Sequence, residues 1–144
     1  VKMIKIHSKK WNTIKYALEF PHHGGTLTVK NPFDYPRMLY LTYMTIATRS
    51  DYYPRVQVYI NNVKAAILEP TNEEEKKYTH SPRTVAVGLV PPGDDCPIRL
   101  EPLVSKHYHH GIVKKFRLTG ASFLGSTEVP FEYTLELEPA DDHF

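Results

Sequence analysis

Cysteine is almost absent, with Cys96 alone among 144 residues. A single thiol excludes an internal disulfide framework and a multi-cysteine zinc site. Glutamine is as scarce, with only Gln57. No apolar run approaches the ~20 residues that a membrane-spanning helix needs. No Asn-x-Ser/Thr glycan acceptor occurs. The familiar catalytic motifs are missing too: no phosphate-cradling P-loop, no G-x-G-x-x-G after a strand, no H-E-x-x-H and no G-x-S-x-G. Gly120-Ala121-Ser122-Phe123-Leu124-Gly125 is one residue too long for the nucleophile elbow, and no helical pattern follows it. Ser122 therefore reads as a turn or strand hydroxyl, and the chain as a whole reads as a non-enzyme.

What is present is the material of strands and turns. Twelve prolines, ten tyrosines and seven glycines favour short strands over long helices. The hydrophobic share of 41% and the charged share of 24% fit a globular fold and are too apolar for disorder. The length suits one domain, residues 1–144. Abundant Lys, Glu, Tyr, Ile and Val with few thermolabile side chains resemble the composition of proteins from hot environments.

Period-two alternation, the mark of strands with one buried face, recurs along the chain. Ile14, Tyr16, Leu18 and Phe20 share one side of residues 13–20, and Val56, Val58 and Ile60 share one side of 55–60. Phe131, Tyr133, Leu135 and Leu137 do the same over 131–138. The longest candidate is 37–48, where Leu39, Leu41 and Tyr43 oppose Met38, Tyr40, Thr42 and Met44, so that both faces are expected to be covered. Further strands are expected over 2–7, 26–30, 63–68, 83–90, 97–104 and 112–118. Asn61-Asn62 predicts a tight hairpin, because asparagine tolerates positive φ. Residues 91–95 (Pro-Pro-Gly-Asp-Asp) read as a loop. One short helical turn is expected near 72–79, capped by Thr71 or Asn72 and led by Glu73, Glu74 and Glu75.

These elements predict an all-β protein, an antiparallel β-sandwich with a single jelly roll as the preferred topology. Long crossing connections around 49–54 and 70–83 favour that choice. An immunoglobulin-like sandwich is the alternative, though no Cys…Trp…Cys spacing supports an antibody-type domain.

The net charge of +2 conceals an asymmetry. Residues 1–72 carry ten Lys/Arg against four Asp/Glu, and residues 73–144 carry eight against twelve. Lys2, Lys5, Lys9, Lys10 and Lys15 open the chain, whereas Glu132, Glu136, Glu138, Asp141 and Asp142 crowd its far end. Opposite charge predicts that the two ends lie together in one sandwich or meet head to tail between subunits.

Tyr35, Tyr52, Tyr53, Tyr78 and Tyr108 fall in expected loops, and Trp11 in a Lys/Asn-rich edge. Aromatic side chains placed where no core demands them anchor protein interfaces or stack on sugar rings. His107 and His109, if extended, face one side about 7 Å apart between Cα atoms, a workable pair of metal ligands. Compared with the H-x-H pattern of cupins, Gly111 follows at once and no acid stands between His110 and Gly120. Cys96, beside Asp94 and Asp95, reads as a buried structural thiol, since neighbouring carboxylates disfavour the thiolate. Lys9 and Lys10, with Lys114, Lys115 and Arg117, make only a modest basic surface, so nucleic acid is not an expected partner.

The expected function is a non-catalytic structural or assembly subunit of the jelly-roll kind found in capsids, virion appendages or extracellular filaments. It would self-associate through tyrosine-rich loops and oppositely charged ends, in an extracellular or virion setting. The alternative is a carbohydrate-binding sandwich; a cupin-like metal enzyme ranks third. No cofactor and no membrane contact are expected.

Overall fold

The computed structural model describes residues 2–8, 13–46, 53–71, 80–103, 115–123 and 131–133. Ten strands follow one another: β1 (Lys2–Ser8), β2 (Thr13–Phe20), β3 (Gly25–Asn31), β4 (Arg37–Ile46), β5 (Val56–Ile60), β6 (Val63–Leu68), β7 (His80–Val90), β8 (Gly93–Pro102), β9 (Phe116–Phe123) and β10 (Phe131–Tyr133). No helix occurs among the described residues, and the helical turn expected near 72–79 lies outside them.

The strands form two five-stranded antiparallel sheets, β1-β2-β9-β4-β7 and β10-β3-β8-β5-β6. The sheets pack face to face as a β-sandwich around one contiguous core. Phe20, Leu39, Leu41, Tyr43 and Leu118 come from the first sheet, and Leu27, Val29, Val58, Ile98 and Leu100 from the second. Each belongs to one parity of its strand, which is why alternation in the sequence translates into a layer of buried side chains. Phe116 ties the layer together, with its ring centroid 5.7 Å from those of both Phe20 and Tyr43.

The pairing is nested. β5 and β6 form the innermost hairpin, and around it β4 pairs with β7, β3 with β8 and β2 with β9. Two further pairings, β9 with β4 and β8 with β5, roll this long hairpin into two sheets. β1 and β10 then extend one edge of each sheet. The oppositely charged terminal strands thus belong to one sandwich but border different sheets, and no hydrogen bonding joins them among the described residues.

Local chemistry explains the tight turns. Asn61 and Asn62 adopt φ values of 52° and 67°, closing the β5–β6 hairpin in two residues as their sequence predicts. Between β2 and β3, the Gly24 amide donates to the Pro21 carbonyl at 2.9 Å with φ at +88°. A Cβ on Gly24 would overlap the Leu100 carbonyl oxygen. Buried Asn31 fastens the β3–β4 turn: its amide donates to the Tyr35 and Val90 carbonyls, each at 3.0 Å, and its Oδ1 accepts from the Phe33 amide at 3.0 Å.

Several boundaries differ from the sequence expectation, and β7 begins at His80, inside the connection expected around 70–83, because residues 80–82 pair with β4. Residues 93–95 belong to β8 rather than to a loop, because Gly93 pairs across to Asn31 past a bulge. The strand expected over 112–118 is β9, which runs on to Phe123 because Gly120, Ala121 and Ser122 are held along β4. The glycine there marks a register shift and not a strand end.

The two ends of the sandwich differ. At one end, the β3–β4, β5–β6 and β7–β8 strand ends are bridged by residues 32–36, 61–62 and 91–92. At the other, the strand ends are separated by residues 21–24 (β2–β3), 47–55 (β4–β5), 69–79 (β6–β7) and 103–115 (β8–β9). The sheet-crossing connections expected around 49–54 and 70–83 correspond to those of β4–β5 and β6–β7, the second ending at residue 79.

Candidate functional site

At the end with the longer connections, the sheets part enough to leave a cavity of about 230 Å³. Its floor is core: Tyr43, Val56 and Leu68 are each about 1% exposed. Phe116, Tyr53, Pro54 and Pro70 form its walls, and the half-buried Met44, Lys115 and Arg117 complete it. The Tyr43 hydroxyl donates to the Glu69 carbonyl at 2.8 Å, anchoring the start of the β6–β7 connection to β4. Burial pushes the Tyr43 phenol above its ordinary value, with the Arg83 charge opposing. Burial also raises the Tyr53 phenol, with Arg117 opposing. Both phenols are therefore neutral donors at physiological pH.

Among the described residues, the lining carries the two cations Lys115 and Arg117 and no carboxylate. Arg117 Nε donates to Glu19 at 3.3 Å across the β2–β9 ladder. Glu69 directs its carboxylate to Arg55, at 2.8 Å.

A second feature is the outer face of the first sheet. Met38, Tyr40, Thr42 and Met44 project from β4 opposite its buried residues and are half-buried. The register sets Leu89, Ala86, Thr84 and Pro82 of β7 beside them. On the other side, Ser122 and Gly120 of β9 adjoin Tyr40 and Thr42. None of these residues is charged. Leu89 is 58% exposed, and the hydroxyls of Thr42 and Thr84 bond each other at 2.7 Å, confirming that both point outward. The second sheet differs: Arg99 lies on its outer face, 3.8 Å over the Tyr59 ring and 2.6 Å from Glu101. The expectation that β4 would be covered on both faces thus holds for its inner face, while within this chain the outer one is half-open.

The aromatic residues singled out in the sequence separate. Tyr35 is 52% exposed in the β3–β4 turn, its ring 5.6 Å from Phe33 and tilted by 46°. The Arg37 guanidinium covers Phe33 at 4.2 Å. Tyr53 lies at the opposite end, in the cavity wall. Trp11, Tyr52, Tyr78 and Tyr108 lie outside the described residues, as do His107 and His109. Among the described residues no three His, Cys, Asp or Glu side chains gather into a metal-sized group. Ser122 is a half-buried residue of β9. Cys96 is a buried free thiol pushed above its ordinary value by burial, with a backbone hydrogen bond from Asn61 opposing and Asp95 adding to the rise.

Sequence reasoning missed the cavity itself. Its signal was the run Lys114-Lys115-Phe116-Arg117, where two cations flank an aromatic at a strand start, together with Pro54 and Pro70 at the mouths of two crossing connections. Compared with known proteins, the chain matches no family model, no curated protein and no solved structure.

Proposed function

We propose that this protein is a non-catalytic assembly subunit built on a single jelly roll, joining further copies of itself in a capsid, virion appendage or extracellular filament. The nested strand order supports the jelly-roll reading, since rolling one long hairpin generates that topology. The comparison with capsid and filament subunits is one of fold alone.

The observation that carries self-association is the uncharged outer face of β7 and β4. A patch of Met, Tyr, Leu, Ala and Pro on β4 and β7, continued by Gly120 and Ser122 of β9 and bounded on one side by the Glu19–Arg117 pair, has the anatomy of an interface core with a charged rim. A second copy of the same face is the fitting occupant. It is uncharged in turn, and a net charge of +2 sets little repulsion between copies. The exposed Tyr35 and Phe33 add contact area at the tight-turn end.

The test is a charge placed in the patch. Ala86→Glu, at an exposed position of the edge strand β7, should shift elution from an assembled to a monomeric volume while leaving circular dichroism unchanged. Elution of the variant at the wild-type assembled volume contradicts this use of the face.

A glycan-binding sandwich is the second reading, favoured by the exposed Tyr35 and Phe33 beside Arg37. Binding to a glycan panel that Tyr35→Ala abolishes would put this reading first.

A further inference from the structure

We propose that the cavity between the sheets binds a small neutral aromatic molecule, one ring bearing a short alkyl arm, packed against Phe116, Tyr53 and Pro54 over the floor of Tyr43, Val56 and Leu68. The proposal does not rest on the assembly reading.

Size gives the first argument. An apolar cavity of about 150 Å³ admits benzene. The present one, at about 230 Å³, has room for a ring and a short arm. Rigidity gives the second. Tyr43, Val56 and Leu68 belong to the contiguous core, so the floor exists before a ligand arrives. The walls are two aromatic rings and two prolines, stiff surfaces that lose little entropy when a ring packs on them.

The hydrogen bonding of the lining gives the third argument and selects a neutral ligand over an ion. The Tyr43 hydroxyl is already committed to the Glu69 carbonyl. Arg117 is paired with Glu19 at 3.3 Å, and its side chain is 41% exposed, so its charge has both a counter-ion and water. Tyr53 and Lys115 are engaged as well. Among the described residues, no buried side-chain nitrogen or oxygen lacks a partner. An entering ion would give up its hydration and find every charged group of the lining already matched. A hydrocarbon ring asks for no such partner and gains by leaving water. Lys115 and Arg117 then contribute their aliphatic stems to the wall, as long cationic side chains do beside apolar surface.

The experiment is a titration of the methyl-labelled chain with ethylbenzene, followed by NMR, beside the same titration with benzylammonium and with benzoate. The three probes share a ring and differ in charge. Ethylbenzene should shift the methyl signals of Val56 and Leu68 saturably and bind at least about tenfold more tightly than either ion. Nuclear Overhauser contacts should join its ring to the same methyl groups. Val56→Phe fills the floor and should weaken ethylbenzene binding by about tenfold or more. Because the added bulk also strains the core, the Overhauser contacts in the wild-type chain serve as the check that needs no variant. Absence of a saturable shift, either ion binding as tightly as ethylbenzene, Overhauser contacts confined to residues outside the cavity, or unaltered affinity in a folded Val56→Phe variant would each overturn the proposal. The molar mass of the wild-type protein reports separately on assembly.

Discussion

Asn31 shows most directly how one residue fixes local structure. It is 2% exposed and satisfies three hydrogen bonds that reach the β3–β4 turn and the end of β7. Asn31→Ala leaves two carbonyls and one amide to find new partners, and should cost about 3 kcal/mol in chemical denaturation. A loss below about 0.5 kcal/mol would mean that water replaces the side chain without strain. Titration offers another check. The Cys96 thiol and the Tyr43 and Tyr53 phenols all lie above their ordinary 9.0 and 10.0 because burial disfavours their charged forms. Their contribution is complete below those values, where the unfolded chain is also protonated. As pH rises past 9.0 and 10.0 the unfolded chain loses protons first, so stability falls. Denaturation midpoints measured from pH 7 upward should decline above about pH 9, and a flat profile would contradict the burial of these groups.

At the scale of the element, the β5–β6 hairpin is a place where the chain resists its own turn. Both central residues occupy positive φ, a conformation that asparagine tolerates and glycine accepts freely. Asn62→Gly should therefore raise stability by up to about 1 kcal/mol, read as an increase in Tm. A fall in Tm would show that the Asn62 side chain contributes more than its backbone strain costs. The hairpin was legible in the sequence because turn chemistry is local. So were β2, β4 and β5, whose apolar residues recur with a period of two. Other features were not, because partners distant in sequence decide them. Gly93 to Asp95 reads as a loop until Asn31 of β3 offers a ladder, and Gly120 reads as a break until β4 holds it extended. The cavity was hidden for the same reason: Tyr43, Tyr53, Leu68 and Phe116 meet only when β4, β5, β6 and β9 are brought to one end. Of the aromatic residues marked in the sequence, Tyr53 reaches that cavity and Tyr35 stands at the far end.

The whole molecule is asymmetric in two senses. Among the described residues, one end has the tight β3–β4, β5–β6 and β7–β8 turns and the other has the cavity. One sheet has a polar outer face with the Arg99–Glu101 pair, and the other an outer face of uncharged residues on β4 and β7, rimmed by Arg117 of β9. A monomer has no use for the second asymmetry, since an apolar outer face adds solvent-exposed area without adding core. The proposed self-association through this face would account for it. The account is tested most directly by the molar mass of the wild-type protein in solution, from light scattering coupled to size exclusion over a range of concentrations. A defined multiple of the 16.6 kDa chain that persists on dilution, with and without EDTA, is the predicted result. A mass of one chain at every concentration would contradict it.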